Sequence, residues 1–232
     1  MTVADSSLSL ADGDFVELSY TARLADGGRV IDTTDPEVAE DADIADITGT
    51  GPCVVILGKE HLFDPVEEEI KETGVGDSGR ASVDPSDAFG ELDPTAKDVI
   101  DIEHIPTEQR RSGARVGYKG QSGFVDSIDD ESATVNFNHP LAGTRIEYEF
   151  TVHQRVTETD GQIDGLLSLY GIAETIDARL ESEGADQVLW LKLTAPDQSV
   201  DNWEARKLQL VTDLRNALSI DEIRIMERYP SP

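Results

Sequence analysis

Cysteine is nearly absent: Cys53 stands alone in 232 residues. No intrachain disulfide can form, and no CxxC pair offers a metal or redox centre. Basic residues are scarce, 19 Lys and Arg against 48 Asp and Glu, which leaves a formal net charge of −29. A nucleic-acid backbone or an anionic membrane surface needs clustered Lys and Arg, so neither is an expected partner. Long apolar runs are missing too, and nothing approaches the roughly 20 residues that a bilayer-spanning helix requires. The stretch from Met1 to Gly13 has neither a basic start nor an apolar core, which predicts no signal peptide. These absences together predict a cytoplasmic protein.

What remains is ample for folding. Hydrophobic residues make up 38% of the chain, enough for packed cores, and the length suits two or three domains. The acids run from Asp5 to Glu227 and form no separate tail. A dispersed excess of one sign suits a surface adapted to concentrated salt, where screening removes much of the self-repulsion.

Strict alternation marks the first strand. Val16, Leu18, Tyr20, Ala22 and Leu24 share one face, and Glu17, Ser19, Thr21 and Arg23 the other. Asp26-Gly27-Gly28 is a turn, and a second strand restarts at Arg29-Val30-Ile31-Asp32. Asp35 to Gly51 is acidic and reads as a long surface loop. The apolar run Val54-Val55-Ile56-Leu57 follows. Asp64, Pro65 and Glu67 form a helix start, with Asp64 as the expected cap and Phe63, Val66 and Ile70 on one side. From about Asp93 to Asn138, short strand-like pieces separated by Gly, Asp and Ser turns predict a small β-rich insert. Alternation resumes at Ile146, Tyr148, Phe150 and Val152. Thr157 to Gly161 reads as a linker. Beyond it, Ile172, Ile176 and Leu180 predict one helix, Val188 to Leu193 a strand, and Leu208, Val211, Leu214 and Leu218 a second helix. Ile223 to Tyr229 reads as a last strand.

Five segments in this order resemble FKBP-type peptidyl-prolyl cis-trans isomerases: Leu18-Ser19-Tyr20-Thr21 before Asp26-Gly27; Val30-Ile31-Asp32-Thr33-Thr34; Leu57-Gly58 through Val75-Gly76-Asp77; Asp87-Ala88-Phe89-Gly90; and Asn138-His139-Pro140-Leu141-Ala142-Gly143. The last is the most specific, and is similar to the segment that re-enters the core in SlyD-like and long archaeal members, with a halophilic archaeon as the implied source. The likeness covers roughly residues 13 to 156. It implies an α+β fold: an FKBP-like antiparallel sheet wrapped on a short helix, a β-rich inserted domain and a C-terminal α/β domain. The expected boundaries are 1–92 with 138–156 for the isomerase domain, 93–137 for the inserted flap, and 157–232 for the C-terminal domain.

The resemblance assigns Tyr20, Asp32, Phe89 and Tyr148 to catalysis and Ile31, Leu62, Phe63 and Val66 to substrate binding. Asp32 would sit at the rim, holding the Tyr20 ring. Core packing alone would also explain Tyr20, Tyr148, Phe63 and Val66, and Asp32 could cap a turn. Three positions depart from the family. Phe89 replaces a tyrosine whose hydroxyl would bond the bound carbonyl, Pro65 replaces a glycine, and Ile31 replaces a phenylalanine. Reduced rather than abolished activity follows. His61, His104, His139 and His153 are scattered, and the SlyD-type metal-binding tail is lacking, so neither metal nor cofactor is expected. The implied partners are unfolded or partly folded proline-containing polypeptides. Ile100, Ile102, Ile105, Val116 and Tyr118 in the insert are candidates to capture them, or else form the insert's own core. A non-catalytic holdase, or a scaffold dimerising through the C-terminal domain, are the competing readings.

Overall fold

The computed structural model describes residues 9–45, 51–193 and 203–227. The chain divides into two compact units, one drawn from 1–23, 28–82 and 147–232, the other from 24–27 and 83–146. Among the described residues, the first mixes strands with four α-helices, and the second holds strands with short 3-10 turns, together a mixed α+β structure.

The first unit is organised around β1 (Phe15–Leu24). It pairs antiparallel with β2 (Val30–Thr33) and with β3 (Cys53–Ile56). With β4 (Ser78–Val83) and β9 (Ile146–Arg155) these make a five-stranded sheet of order β2-β1-β9-β4, with β3 alongside β1. The alternation read from the sequence is visible in burial. Val16, Leu18 and Ala22 are buried on β1, as are Tyr148, Phe150 and Val152 on β9. Between Thr33 and β3 the chain is not all loop. Pro36–Asp41 forms helix α1, because Asp35 accepts the N–H groups of Glu37 and Val38 at 2.9 and 3.2 Å and Pro36 takes the first position. The expected loop is corrected there; its residues 46–50 lie outside the described ones.

Helix α2 (Asp64–Thr73) is present, but Asp64 does not cap it. Phe63 occupies the cap position without a side-chain bond, and Asp64 is the first helical residue. The carboxylate that matters is Glu67, which is buried and accepts the backbone N–H groups of Gly58 and Leu62 at 2.6 and 3.3 Å. Glu67 thus fastens the turn before the helix instead of the helix terminus.

Residues 157–193 and 203–227 build onto the same unit. The expected linker is already helical: α3 spans Thr159–Leu169. The helix expected over 172–180 is instead strand β10 (Ile176–Glu183). Ile172, Ile176 and Leu180 recur every four residues, a spacing that fits a helical face and the two-residue strand period equally. Asp177, Arg179 and Glu181 between them supply the strand's polar face. β11 (Asp186–Leu193), α4 (Trp203–Ala217) and β12 (Glu222–Met226) complete a three-stranded sheet of order β10-β11-β12. β10 and β11 are antiparallel, β11 and β12 parallel. The expected apolar face of α4 is also corrected: Leu208 is 70% exposed, and Leu210 and Leu214 are the buried leucines. Position 229 of the expected last strand lies outside the described residues.

One hydrophobic core joins these elements. Phe15, Val54 and Ile56 from β1 and β3 pack with Ile163, Leu166 and Leu167 of α3, Leu189 and Leu191 of β11, and Leu210 and Leu214 of α4. Val55, paired with Val16, is buried on the opposite face of β3. Burial on both faces explains why residues 54–57 read as an unbroken apolar run.

The second unit holds a four-stranded antiparallel sheet of order β5-β8-β7-β6, from β5 (Lys97–Asp101), β6 (Arg115–Tyr118), β7 (Gln121–Ile128) and β8 (Ser132–Asn136). Lys119 and Gly120 join β6 to β7 with φ of +49° and +82°, the left-handed pair that a two-residue hairpin turn requires. Ile100, Ile105 and Val116 are buried with Val125 and Val135, so these three capture candidates form the unit's own core. Asn138 clamps the chain where it leaves this sheet. Its amide oxygen accepts the Asp93 N–H and its amide nitrogen donates to the Asp93 carbonyl, both at 2.9 Å.

Candidate active site

The site is built where β1, β2, β9 and the start of α2 meet. Asp32 lies opposite Ala22 on β2, which places it diagonal to Tyr20 across the strand pair. The Tyr20 hydroxyl donates to Asp32 Oδ2 at 2.7 Å. The Tyr20 backbone is fixed as well, since its N–H donates to Thr34 Oγ1 at 2.9 Å and its carbonyl accepts the Thr34 N–H at 3.0 Å. Thr33 and Thr34, which carry no apolar pattern, are therefore supports for Tyr20; both are buried.

The Tyr148 ring on β9 lies 5.7 Å from the Tyr20 ring, tilted by 39°. Phe63 meets Tyr148 edge-on, with centroids 6.3 Å apart at 79°. These are favourable aromatic geometries that hold rigid apolar walls. Tyr20 and Phe63 are half-buried. Val66 on α2 is wholly buried and belongs beneath the surface, while Ile31 and Leu62 are half-buried. Phe89 belongs to the second unit. There it stacks on His139, with ring centroids 4.3 Å apart and planes within 11°.

Electrostatics keep both tyrosines neutral. Burial, then the Asp32 charge and the hydrogen bond to it, push the Tyr20 phenol well above its ordinary value. Burial, then the Asp32 charge, raise Tyr148 likewise. Burial and then Asp32 also push the Cys53 thiol up to about 12, so it stays protonated and unreactive near neutrality. The arrangement sets aromatic walls beside one fixed carboxylate at Asp32. Among the described residues, no three His, Cys, Asp or Glu side chains converge as a metal site would need.

A pH prediction follows. A tyrosine whose folded value exceeds its unfolded value of about 10 stabilises the fold below that pH and loses the contribution as pH rises. Phenolate absorbance should therefore show Tyr20 and Tyr148, with Tyr170, silent at about pH 10, where a free phenol ionises. They should ionise only together with alkaline unfolding, and Tyr20→Phe should remove one late-titrating group.

No family model matches the chain. Curated proteins do. The chain is 26% identical over 148 residues to the short-type peptidyl-prolyl cis-trans isomerase of Methanocaldococcus jannaschii, a match spanning 60% of this chain and 90% of the relative. It is 29% identical over 110 residues to the FKBP-type 16 kDa peptidyl-prolyl cis-trans isomerase of Escherichia coli, spanning 44% of this chain and 72% of that protein. It is 26% identical over 165 residues to the FKBP-type isomerase SlyD of Treponema pallidum, spanning 69% and 86%. The chain thus has FKBP-type and SlyD homologues at modest identity. No helix among the described residues is long and apolar enough to cross a membrane.

Proposed function

We propose that this protein is a peptidyl-prolyl cis-trans isomerase acting on X-Pro bonds of unfolded or partly folded polypeptides. The observation that carries the reading is the aromatic group of Tyr20, Tyr148 and Phe63, with Tyr20 locked by Asp32. The shared name of the relatives supports it.

The chemistry fits such a site. An X-Pro bond rotates over a barrier of roughly 20 kcal/mol, set by amide resonance. No covalent step is needed. A surface that strips water from the prolyl carbonyl weakens that resonance, and rigid walls that fit the twisted amide better than either planar form lower the barrier. Tyr148 and Phe63 would hold the pyrrolidine ring, with Ile31 and Leu62 at the margins and Val66 as the floor. Tyr20, fixed by Asp32, would align the carbonyl. The insert (93–137) would capture extended segments at the free edge of β5, where Val99 is 67% exposed. The net charge of −29 suits a cytoplasm rich in salt.

Phe89 lacks the hydroxyl that the family usually presents to the bound peptide, and that favours the second reading, a holdase with weak catalysis. Restoring the group should tell. One regained hydrogen bond is worth about 1–1.5 kcal/mol. Phe89→Tyr is therefore expected to raise kcat/KM for a proline peptide by about 5- to 10-fold. Exchange NMR of a short X-Pro peptide in molar potassium chloride measures it. A folded Phe89→Tyr chain with unchanged or lower activity would remove Phe89 from the catalytic residues that the family resemblance implies.

A further inference from the structure

His61 lies in the turn between β3 and α2, directly before Leu62 and Phe63. Its side chain is 6% exposed, and a buried imidazole needs partners for both nitrogens. The Ile56 backbone N–H donates to Nδ1 at 3.0 Å, so Nδ1 is the unprotonated nitrogen and the neutral ring carries its hydrogen on Nε2. Nε2 lies 3.3 Å from Oδ2 of Asp213, a residue of α4 that is 152 positions away in sequence. The same oxygen accepts the Tyr170 hydroxyl. The Tyr170 ring meets the imidazole edge-on, centroids 6.5 Å apart, and its backbone carbonyl accepts from Arg206 Nη1 at 3.0 Å.

The turn is therefore tethered from two sides. Glu67 of α2 holds the Gly58 and Leu62 N–H groups. His61 ties the same turn to Asp213 and Tyr170. A turn that carries left-handed residues at Gly58 and Glu60, with φ of +76° and +58°, has little local preference for this shape and depends on such tethers. Phe63 follows two residues after His61 and packs against Tyr148.

We propose that Asp213 and Tyr170 make the C-terminal segment a positioning element for the site. They fix the tautomer and orientation of His61, which in turn sets the Leu62 and Phe63 corner of the proline pocket. His61 is a positioning residue, and its catalytic consequence rests on the isomerase reading above. Its structural consequence does not. Phe63 would touch the substrate in planar and twisted forms alike, so loosening it should raise KM and leave kcat nearly unchanged.

The experiment uses the full chain and two variants, Asp213→Ala and Asp213→Asn, the second keeping one acceptor oxygen. Nitrogen NMR of the His61 ring reads the tautomer, ring proton shifts of Phe63 and Tyr148 read the corner, and exchange NMR with an X-Pro peptide reads kcat and KM. In the natural chain, Nε2 should carry the proton. In Asp213→Ala, the Phe63 and Tyr148 signals should move and KM should rise by about 3- to 10-fold, the weight of one hydrogen bond. Asp213→Asn should restore most of both, and it carries the comparison with the natural chain if the alanine variant does not fold. Changed His61 nitrogens with unmoved Phe63 and Tyr148 signals would overturn the proposal. A natural chain without isomerase activity would overturn the isomerase reading alone, and the ring signals would still decide the positioning.

Discussion

Asp32→Ala is expected to lower kcat/KM for X-Pro isomerisation by about 5- to 150-fold while the chain stays folded. The Tyr20 hydroxyl donates to Asp32 Oδ2 at 2.7 Å, and Tyr20 is half-buried. Removing the acceptor leaves that hydroxyl without a partner, which costs roughly 1–3 kcal/mol, and frees the ring to turn. The quoted range is that energy expressed as a rate. The cost to global stability should stay at the lower end, because part of the site faces solvent and water can replace the carboxylate. Tyr20→Phe separates the two contributions. It keeps the ring and discards the bond, so a smaller loss than in Asp32→Ala would credit Asp32 with electrostatic work at the bound carbonyl. Equal losses would mean that Asp32 only orients Tyr20.

Gly165→Leu is expected to destabilise the first unit by at least about 3 kcal/mol. Gly165 lies in α3 and faces β3. A Cβ built there would stand 2.6 Å from the Val54 Cβ and 2.8 Å from both Val54 methyls. Those distances lie far inside contact, and Val54 is anchored on a strand whose backbone pairs with β1. Leucine gains about 1 kcal/mol in helix propensity over glycine, but overpacking a tight core typically costs about 1–3 kcal/mol and more when backbone must move. Here the helix must lift off the sheet, and Ile163, Leu166 and Leu167 lose their packing against Val54 and Ile56 together. For a chain of this size the loss corresponds to a fall of roughly 6–12 °C in Tm. Gly165→Ala paired with Val54→Gly, which removes the Val54 Cβ that the added Cβ would meet, should cost less than the two single changes summed, and a double-mutant cycle gives the coupling. An unchanged Tm in Gly165→Leu would mean that α3 does not pack on β3 as described.

Strands with one buried face were open to sequence reasoning. On β9 burial alternates from Ile146 to Val152, and on β1 the buried Val16, Leu18 and Ala22 follow the pattern, with Phe15 buried beside them. The apolar run at 54–57 was equally visible, but its cause was not. A strand buried on both faces and a helix fragment look alike in so short a stretch. α3 was hidden because Gly161 and Gly165 suppress helix propensity, and Gly165 is there to let the helix approach Val54. β10 reads as a helix in sequence because a spacing of four satisfies both periods. At Asp64 the difference has a simpler source. An acid before proline fits the first helical turn as well as the cap, and only the backbone tells them apart.

The candidate site divides in the same way. Tyr20, Tyr148 and Phe63 stand on faces that a strand or helix pattern picks out. The bond between Tyr20 and Asp32 depends on the register of β1 against β2, including the irregularity between Ala22 and Arg23, which no periodicity encodes. Glu67 reads only as part of a helix start and His61 only as one of four scattered histidines, while Asp213 and Tyr170 stand in no motif. Each is a polar residue whose partner comes from a distant part of the chain or from a backbone N–H, so composition and spacing carry nothing of the contact.

The central claim is that the Tyr20, Asp32, Tyr148 and Phe63 group catalyses rotation about X-Pro bonds. The most direct measurement is exchange NMR of a short X-Pro peptide with catalytic amounts of the full chain in molar potassium chloride, beside a folded Asp32→Ala chain. The account predicts faster cis–trans exchange with the natural chain and a large loss on removing Asp32. Exchange no faster than that of the free peptide, with the natural chain folded and Phe89→Tyr equally inert, would contradict it.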